Sequence, residues 1–248
     1  MRTIAVTGMK GGVGKTATAV NLAALAAEAG RRVLVWDLDP QGAATFCFDL
    51  RSRLRGGAER LFGGDRDLRA VVKESSIERI DVVPSDVSLR DADVILHGSA
   101  KPKRILRRLL SGAGKRYDVA VLDLAPGIGP VTGAVVDVAD LLLVPVEPAP
   151  LAVRAYDRFA AFAIERTGGP ELLAPFLSIV DRRKPLHRRI ERELHADPRF
   201  LNASVPLSSA VERLADEQTP TVLSAPRSLA AHGYRDLWAE VAERTGLD

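Results

Sequence analysis

Residues 8–16 read Gly-Met-Lys-Gly-Gly-Val-Gly-Lys-Thr, between a short apolar run, Ile4-Ala5-Val6, and a helix-forming stretch from Ala17 to Ala29. A strand that turns through glycines straight into a helix commits the chain to a βα unit, and the spacing G-x-x-x-x-G-K-T fixes what the turn encloses. Glycines let backbone N–H groups approach an anion with no Cβ in the way, and the helix starting at Lys15 directs the positive end of its dipole at the same point. Gly11, Gly12, Val13, Gly14, Lys15, Thr16 and Ala17 are the expected phosphate cradle, with Lys15 reaching the β and γ phosphates of a nucleotide and the Thr16 hydroxyl ligating Mg²⁺. A turn that merely joins strand to helix does not require Lys-Thr at this offset.

The rest of the chain repeats the same alternation. Apolar runs predict strands near 2–7, 32–37, 79–84, 118–123, 140–146, 173–180 and 202–205. Helical periodicity predicts helices near 15–29, 66–74, 86–97, 102–112, 130–137, 150–167, 186–196, 207–214 and 227–245. Residues 51–66, with Gly56-Gly57 and Gly63-Gly64, read as a loop holding a short helix. Alternation of this kind implies an α/β fold, a mostly parallel twisted sheet with helices on both faces, and ligands at the carboxyl ends of the strands. Residues 1–248 are expected to form a single domain of this kind. Asp123 closes the apolar strand that follows Tyr117, the shape of a motif whose carboxylate holds Mg²⁺ through a water molecule.

Lys10 stands inside the glycine loop although Lys15 already fills the in-chain phosphate position. The run K-G-G-x-G-K-T, together with Asp37-Leu38-Asp39-Pro40-Gln41-Gly42 and Asp140 to Pro148, resembles the ParA/MinD family of deviant phosphate-loop ATPases. The similarity covers essentially the whole chain; at Asp123-Leu124-Ala125-Pro126-Gly127 the sequence departs from the family's D-x-P-P. The resemblance implies that Lys10 reaches the nucleotide of a partner subunit, so that Lys10, Lys15 and Asp39 are the catalytic set. It implies further that Asp39 positions or activates the attacking water and joins Thr16 and Asp123 in the metal set, that Asp37 supports the metal site or loop, and that the cofactors are ATP and Mg²⁺. Adenine preference follows from the family alone, with the base placed near Asp181 and Pro206, where later strands end.

The net charge is only +3, but the cations are unevenly spread. Arg182, Arg183, Lys184, Arg188 and Arg189 form the densest cluster, and Arg213 lies in a Val-Glu-Arg-Leu segment resembling the family's nonspecific DNA surface. Cations that neutralise phosphates give sequence-independent, salt-sensitive affinity. Glu191 and Glu193 interrupt the cluster, and a solvated helix face is the alternative reading.

The resemblance implies as partners a second copy of the chain in an ATP-dependent homodimer, nonspecific DNA, and a ParB-like or cargo adaptor protein that stimulates hydrolysis. The family's extra N-terminal operator-binding region and basic amphipathic C-terminal helix have no counterpart in this sequence, so neither operator recognition nor membrane targeting is expected. No apolar run approaches the roughly 20 residues that span a bilayer, and the first strand begins too early for a leader peptide. The expected location is cytoplasmic and nucleoid-associated. Cys47 is the only cysteine, which excludes an intrachain disulfide and a paired-thiolate cluster and predicts a buried apolar role. The four histidines show no metal-ligand spacing. Two alternatives remain open: a ParA-like factor that positions a protein body, and a non-partition regulatory ATPase serving polysaccharide secretion or DNA transfer.

Overall fold

The computed structural model describes residues 1–248. The first half of the chain contains β1 (Arg2–Val6), α1 (Lys15–Glu28), β2 (Val33–Asp37), α2 (Ala43–Cys47), α3 (Gly57–Gly63), β3 (Lys73–Glu74), β4 (Ile80–Val83), α4 (Ala92–His97), α5 (Pro102–Ala113) and β5 (Val119–Asp123). The second half contains α6 (Pro130–Val136), β6 (Leu141–Val146), α7 (Pro150–Thr167), β7 (Leu173–Val180), α8 (Pro185–His195), β8 (Ser204–Pro206), α9 (Ser209–Glu212), α10 (Leu214–Glu217), α11 (Thr221–Ser224) and α12 (Leu229–Thr245). The strands form one sheet in the order β3-β4-β2-β5-β1-β6-β7-β8, parallel throughout except for the β3–β4 pair at one edge.

Both faces of the sheet are covered, which is why its strands are apolar without alternation. Two buried clusters of similar size, 40 and 35 residues, lie on opposite sides. Along β1 the side chains divide between them, Ala5 facing one cluster and Ile4 and Val6 the other. Helix α1 is buried on almost every side, and its run of alanines permits this by letting the sheet, α2, α11 and α12 approach closely. Near the opposite edge, Trp36 of β2 stacks on Phe62 of α3 with ring centroids 6.2 Å apart, anchoring the short helix expected within the glycine-rich segment.

Several elements differ from expectation. Residues 66–74 are not a helix: a 3-10 turn at Leu68–Ala70 leads into β3, where Lys73 pairs with Val82 and Glu74 with Asp81. The β-branched pair Val71-Val72 and an available strand edge outweigh a weak helical period. The helix expected at 207–214 is broken into α9 and α10, and the short α2 and α11 carry no periodic signal long enough to detect. Cys47 is buried, as expected of a small apolar side chain.

The last helix docks on the body. Leu237 and Val241 are fully buried, and α12 rests on α1, α11 and β8. No helix is long and apolar enough to cross a membrane. Its closest approach is at Gly233, where a Cβ would stand 2.5 Å from the Ser204 carbonyl oxygen and 3.3 Å from the Val205 Cα. Gly233→Ala is therefore expected to destabilise the fold by about 1–3 kcal/mol through overpacking, read as a lower urea midpoint with an unchanged slope; a wild-type midpoint would contradict this contact.

Candidate functional site

The order of strands gathers the site. β1 lies between β5 and β6, and β5 also pairs with β2, so the loops after β1, β2, β5 and β6 emerge side by side at the carboxyl edge. In register, Val6 opposes Asp123 and Asp37 opposes Asp123, placing two strand-terminal carboxylates on neighbouring strands beneath the glycine loop.

The loop itself is shaped by glycine. Gly14 takes φ 89° at the N-cap of α1, and a Cβ there would meet the Ser178 hydroxyl at 3.1 Å. The Thr18 hydroxyl and N–H both donate to the Gly14 carbonyl, at 2.8 and 2.9 Å, tightening the first helical turn. Lys15 is buried and donates its Nζ to the Lys10 carbonyl at 3.0 Å. Burial lowers its pKa, an effect opposed by Asp123 and Asp39.

A cavity of about 770 Å³ opens over this loop. Gly11, Gly12, Gly14, Lys15, Thr16 and Ala17 form its floor, Asp39, Pro40 and Gln41 one wall, and Ala125 and Pro126 another. Beyond the loop it continues past Ser178, Ile179, Pro206, Leu207 and Val211 to the buried Tyr234. Val13 is in the loop but its side chain is buried, so it contributes backbone alone. The wall near Ile179 is made by an irregularity between β7 and β8: Ser178 opposes Val205 and Val180 opposes Pro206, leaving Ile179 as an extra residue at φ 57°. A β-branched residue in the left-handed region is strained.

Asp37 is fully buried and accepts hydrogen bonds from the Thr45 N–H at 2.8 Å, the Thr45 hydroxyl at 2.7 Å and the Asp39 N–H at 3.2 Å. Burial nevertheless pushes its pKa up to about 6. The Thr45 hydroxyl also accepts from the Ser85 N–H at 2.8 Å, and Ser85 donates to the Asp39 carbonyl, so α2 and the end of β4 fix the loop carrying Asp39. The side chain of Asp39 accepts from the Gln41 N–H at 2.9 Å.

Asp123 is the opposite case. Neither of its buried oxygens has a hydrogen-bond partner, Thr16 being close enough to lower its pKa without making a full hydrogen bond. Burial first, and the adjacent Asp37 second, raise its pKa well above the ordinary carboxylate value. A divalent cation held beside Thr16 would supply the positive charge that these carboxylates lack, and the glycine cradle above fits a triphosphate; the residues present therefore suit Mg²⁺ and a nucleotide.

Lys10 does not line the cavity. Its ammonium pairs with Glu147, the residue that follows β6, and both side chains retain access to solvent. Asp181 likewise does not line this cavity: it lines an adjoining one of about 1070 Å³, where Arg183 binds it at 2.8 and 3.0 Å and holds its pKa down to about 2. Pro206 borders both cavities.

The cluster of expected DNA contacts is largely satisfied within the chain. Arg182 pairs with Glu191 at 2.8 Å, Arg183 with Asp181, Arg189 with Glu193 at 3.9 Å, and Arg213 with Glu217 at 3.0 Å. Arg188 donates to the Arg182 carbonyl at 2.8 Å, while Lys184 forms no ion pair. Sequence reasoning missed Glu147, Thr45 and Ser85; strand order would have been needed to place the first beside Lys10, and α2 to place the second under Asp37.

An AAA domain model matches residues 1–165. The chain is 32% identical to the chromosome-partitioning ATPase Soj of Thermus thermophilus, covering 98% of this chain and 96% of that protein. It is 28% identical to the sporulation initiation inhibitor protein Soj of Bacillus subtilis, covering 96% and 97% respectively. Among solved structures, cobyrinic acid a,c-diamide synthase from Mycobacterium smegmatis with a bound ATP analogue and magnesium superposes with a TM-score of 0.82 at 25% identity, covering 99% of this chain and 96% of that one.

In the metal-free protein, Asp37 remains protonated when folded between its unfolded pKa near 3.8 and its folded value of about 6. The folded state thus holds more protons in that window, and stability falls as pH rises through it, by about 3 kcal/mol from this group alone. Asp37→Asn should flatten the pH dependence by the share of this group, leaving that of Asp123, in denaturant titrations with EDTA. Asp123→Asn should raise metal-free stability at pH 7 by about 1–3 kcal/mol; a variant less stable in EDTA would refute the orphaned-carboxylate account.

Proposed function

Because the chain belongs to the AAA-domain family, among its ParA/MinD-like P-loop ATPases, we propose that it is a Mg²⁺-dependent ATPase that switches between a monomer and an ATP-bridged sandwich dimer, binds DNA without sequence preference, and moves or segregates a cargo. The observation that carries this reading is the pair of lysines in one loop. Lys15 faces the cavity that fits the nucleotide, whereas Lys10 points away from it toward Glu147. A lysine that does not serve its own site is free to serve another copy's once it exchanges the carboxylate for a phosphate.

The roles follow from chemistry. Backbone N–H groups of Gly11 to Thr16 hold the phosphates, Lys15 neutralises them, and Thr16 with Asp123 holds the metal, which when bound offsets charge on the phosphates. Asp39, on the wall fixed by Thr45 and Ser85, orients the attacking water. Positioning and charge neutralisation provide most of phosphoryl-transfer catalysis, so Asp39 need not be a strong base. ATP can favour the dimer only through differential affinity, by several kcal/mol for a decisive switch. A ParB-like or cargo adaptor that accelerates hydrolysis would then release the protein locally.

A second reading, a regulatory ATPase for which DNA is dispensable, is favoured by the in-chain pairing of Arg182, Arg183, Arg189 and Arg213. DNA retention in the presence of ATP separates the two.

Three variants test the cycle. Lys15→Ala should lose ATP binding in a titration. Lys10→Ala should bind ATP yet stay monomeric by light scattering, with hydrolysis reduced by about 100-fold or more. Asp39→Ala should form a dimer that persists because the water is misplaced. An ATP-loaded Lys10→Ala protein that dimerised normally would end this reading.

A further inference from the structure

Helix α5 breaks two local rules of helix electrostatics. From Lys101 to Arg116 the chain carries seven cations and no carboxylate. Lys101 occupies the N-cap, Lys103 and Arg104 lie in the first turn, and no acidic residue is present there, so positive charge sits at the positive end of the helix dipole. Lys103 with Arg107, and Arg104 with Arg108, are like-charge pairs at i,i+4, an arrangement that destabilises a helix.

No ion pair compensates, and only Arg108 has a local counterweight, its guanidinium lying over Gly64 at the C-cap of α3. Leu106, Leu109, Leu110 and Ala113 are buried against the sheet, leaving Lys103, Arg104, Arg107 and Arg108 exposed along the outer face. None of these four forms an ion pair; Arg116, beyond the helix, is the one cation of the run that does, with Asp81 at 3.0 Å. Among the neighbouring carboxylates, Asp65 and Asp67 beside the 3-10 turn make no ion pair with the row, and two others are committed elsewhere. Asp137 of the packed α6 region binds Arg166 at 2.6 Å, and Asp140, across a small cavity from Arg107, accepts from the Thr3 N–H at 2.7 Å. Arg69, on the 3-10 turn packed against α5, is also exposed and adds to the same charge. The contrast with α8, where Glu191 pairs with Arg182 of the preceding loop and Glu193 with Arg189, is one of pairing rather than of composition.

We propose that the outer face of α5 is a docking surface for the phosphate backbone of nucleic acid. This rests on the reading of the chain as a DNA-binding ATPase and moves the principal contact from the α8 cluster to α5. A helix of 12 residues is about 18 Å long and faces about five phosphates of one strand, comparable with the row formed by Lys101, Lys103, Arg104, Arg107 and Arg108. Arginines dominate the row, and their planar forks suit phosphate oxygens. The apolar side chains of α5 are turned inward, so none remains to enter a bilayer, and no large exposed hydrophobic residue lies on this face to anchor a protein partner.

The test measures affinity for a random-sequence DNA duplex, with ATP, over a series of KCl concentrations. For the variant Lys103→Gln/Arg104→Gln/Arg107→Gln/Arg108→Gln, affinity near 0.1 M salt should drop by roughly tenfold or more, and the slope of log affinity against log salt should shrink by about 3–4, close to 0.9 for each lost contact. Arg104→Lys/Arg107→Lys/Arg108→Lys should retain the wild-type slope, and light scattering should show the ATP-dependent dimer in both. If circular dichroism shows the fourfold variant misfolded, Lys103→Gln/Arg107→Gln should give about half the slope change. An unchanged slope in a folded variant overturns the α5 surface and leaves the DNA-binding reading standing. A wild-type protein without measurable affinity for DNA overturns both. Loss of binding to phosphatidylserine vesicles, with DNA binding intact, assigns the face to lipid and also overturns the proposal.

Discussion

The pairing of β2 with β5 places Asp37 opposite Asp123, two carboxylates with no exposure to solvent, and the arrangement above them answers to that adjacency. Two buried negative charges side by side are unfavourable unless one is protonated, hydrogen-bonded or met by a cation. The protein treats them unequally. Asp37 is enclosed by Thr45 and the Asp39 N–H, whereas the oxygens of Asp123 are left without partners. The first carboxylate thereby becomes a fixture that shapes a loop, and the second remains available to a positive charge.

That division connects packing to chemistry. Thr45 reaches Asp37 only because α2 folds back beside β2, and the same hydroxyl receives the Ser85 N–H from the end of β4. The end of β2, helix α2 and the segment after β4 are therefore tied together through one threonine, and Asp39 inherits its place from them. Lys10 and Glu147 are a looser counterpart. They come from loops after neighbouring strands, β1 and β6, and their pair remains partly wet. An exposed ion pair contributes little to stability, so its exchange for a more highly charged partner meets little resistance.

Much of the site was legible in the sequence because its chemistry is local. The glycine loop needs particular residues at fixed offsets to produce one backbone shape, and Gly14 at φ 89° is that requirement made visible. The acidic strand ends could be read for the same reason, since an apolar run stopping at a carboxylate marks the edge of a sheet. The parallel α/β architecture and most strand positions also followed from periodicity. What escaped was decided at a distance. The stretch 66–74 became a turn and an edge strand because β4 offered it a partner, and the pairing of Asp181 with Arg183 could not be read from their adjacency alone. Charge was the least legible property. The cations of α8 and α5 look alike in the sequence, and only packing reveals which have carboxylates within reach.

The irregularity at Ile179 has a consequence for the architecture of the cavity. An uninterrupted β7–β8 ladder would send successive side chains to alternating faces, whereas one surplus residue on β7 resets that alternation before the strands end. The far wall, from Ser178 through Pro206 to Leu207, is thus placed by a phase change in the sheet rather than by an added loop. Shortening β7 by that residue would preserve every hydrophobic side chain of the strand except one, yet turn the wall inside out.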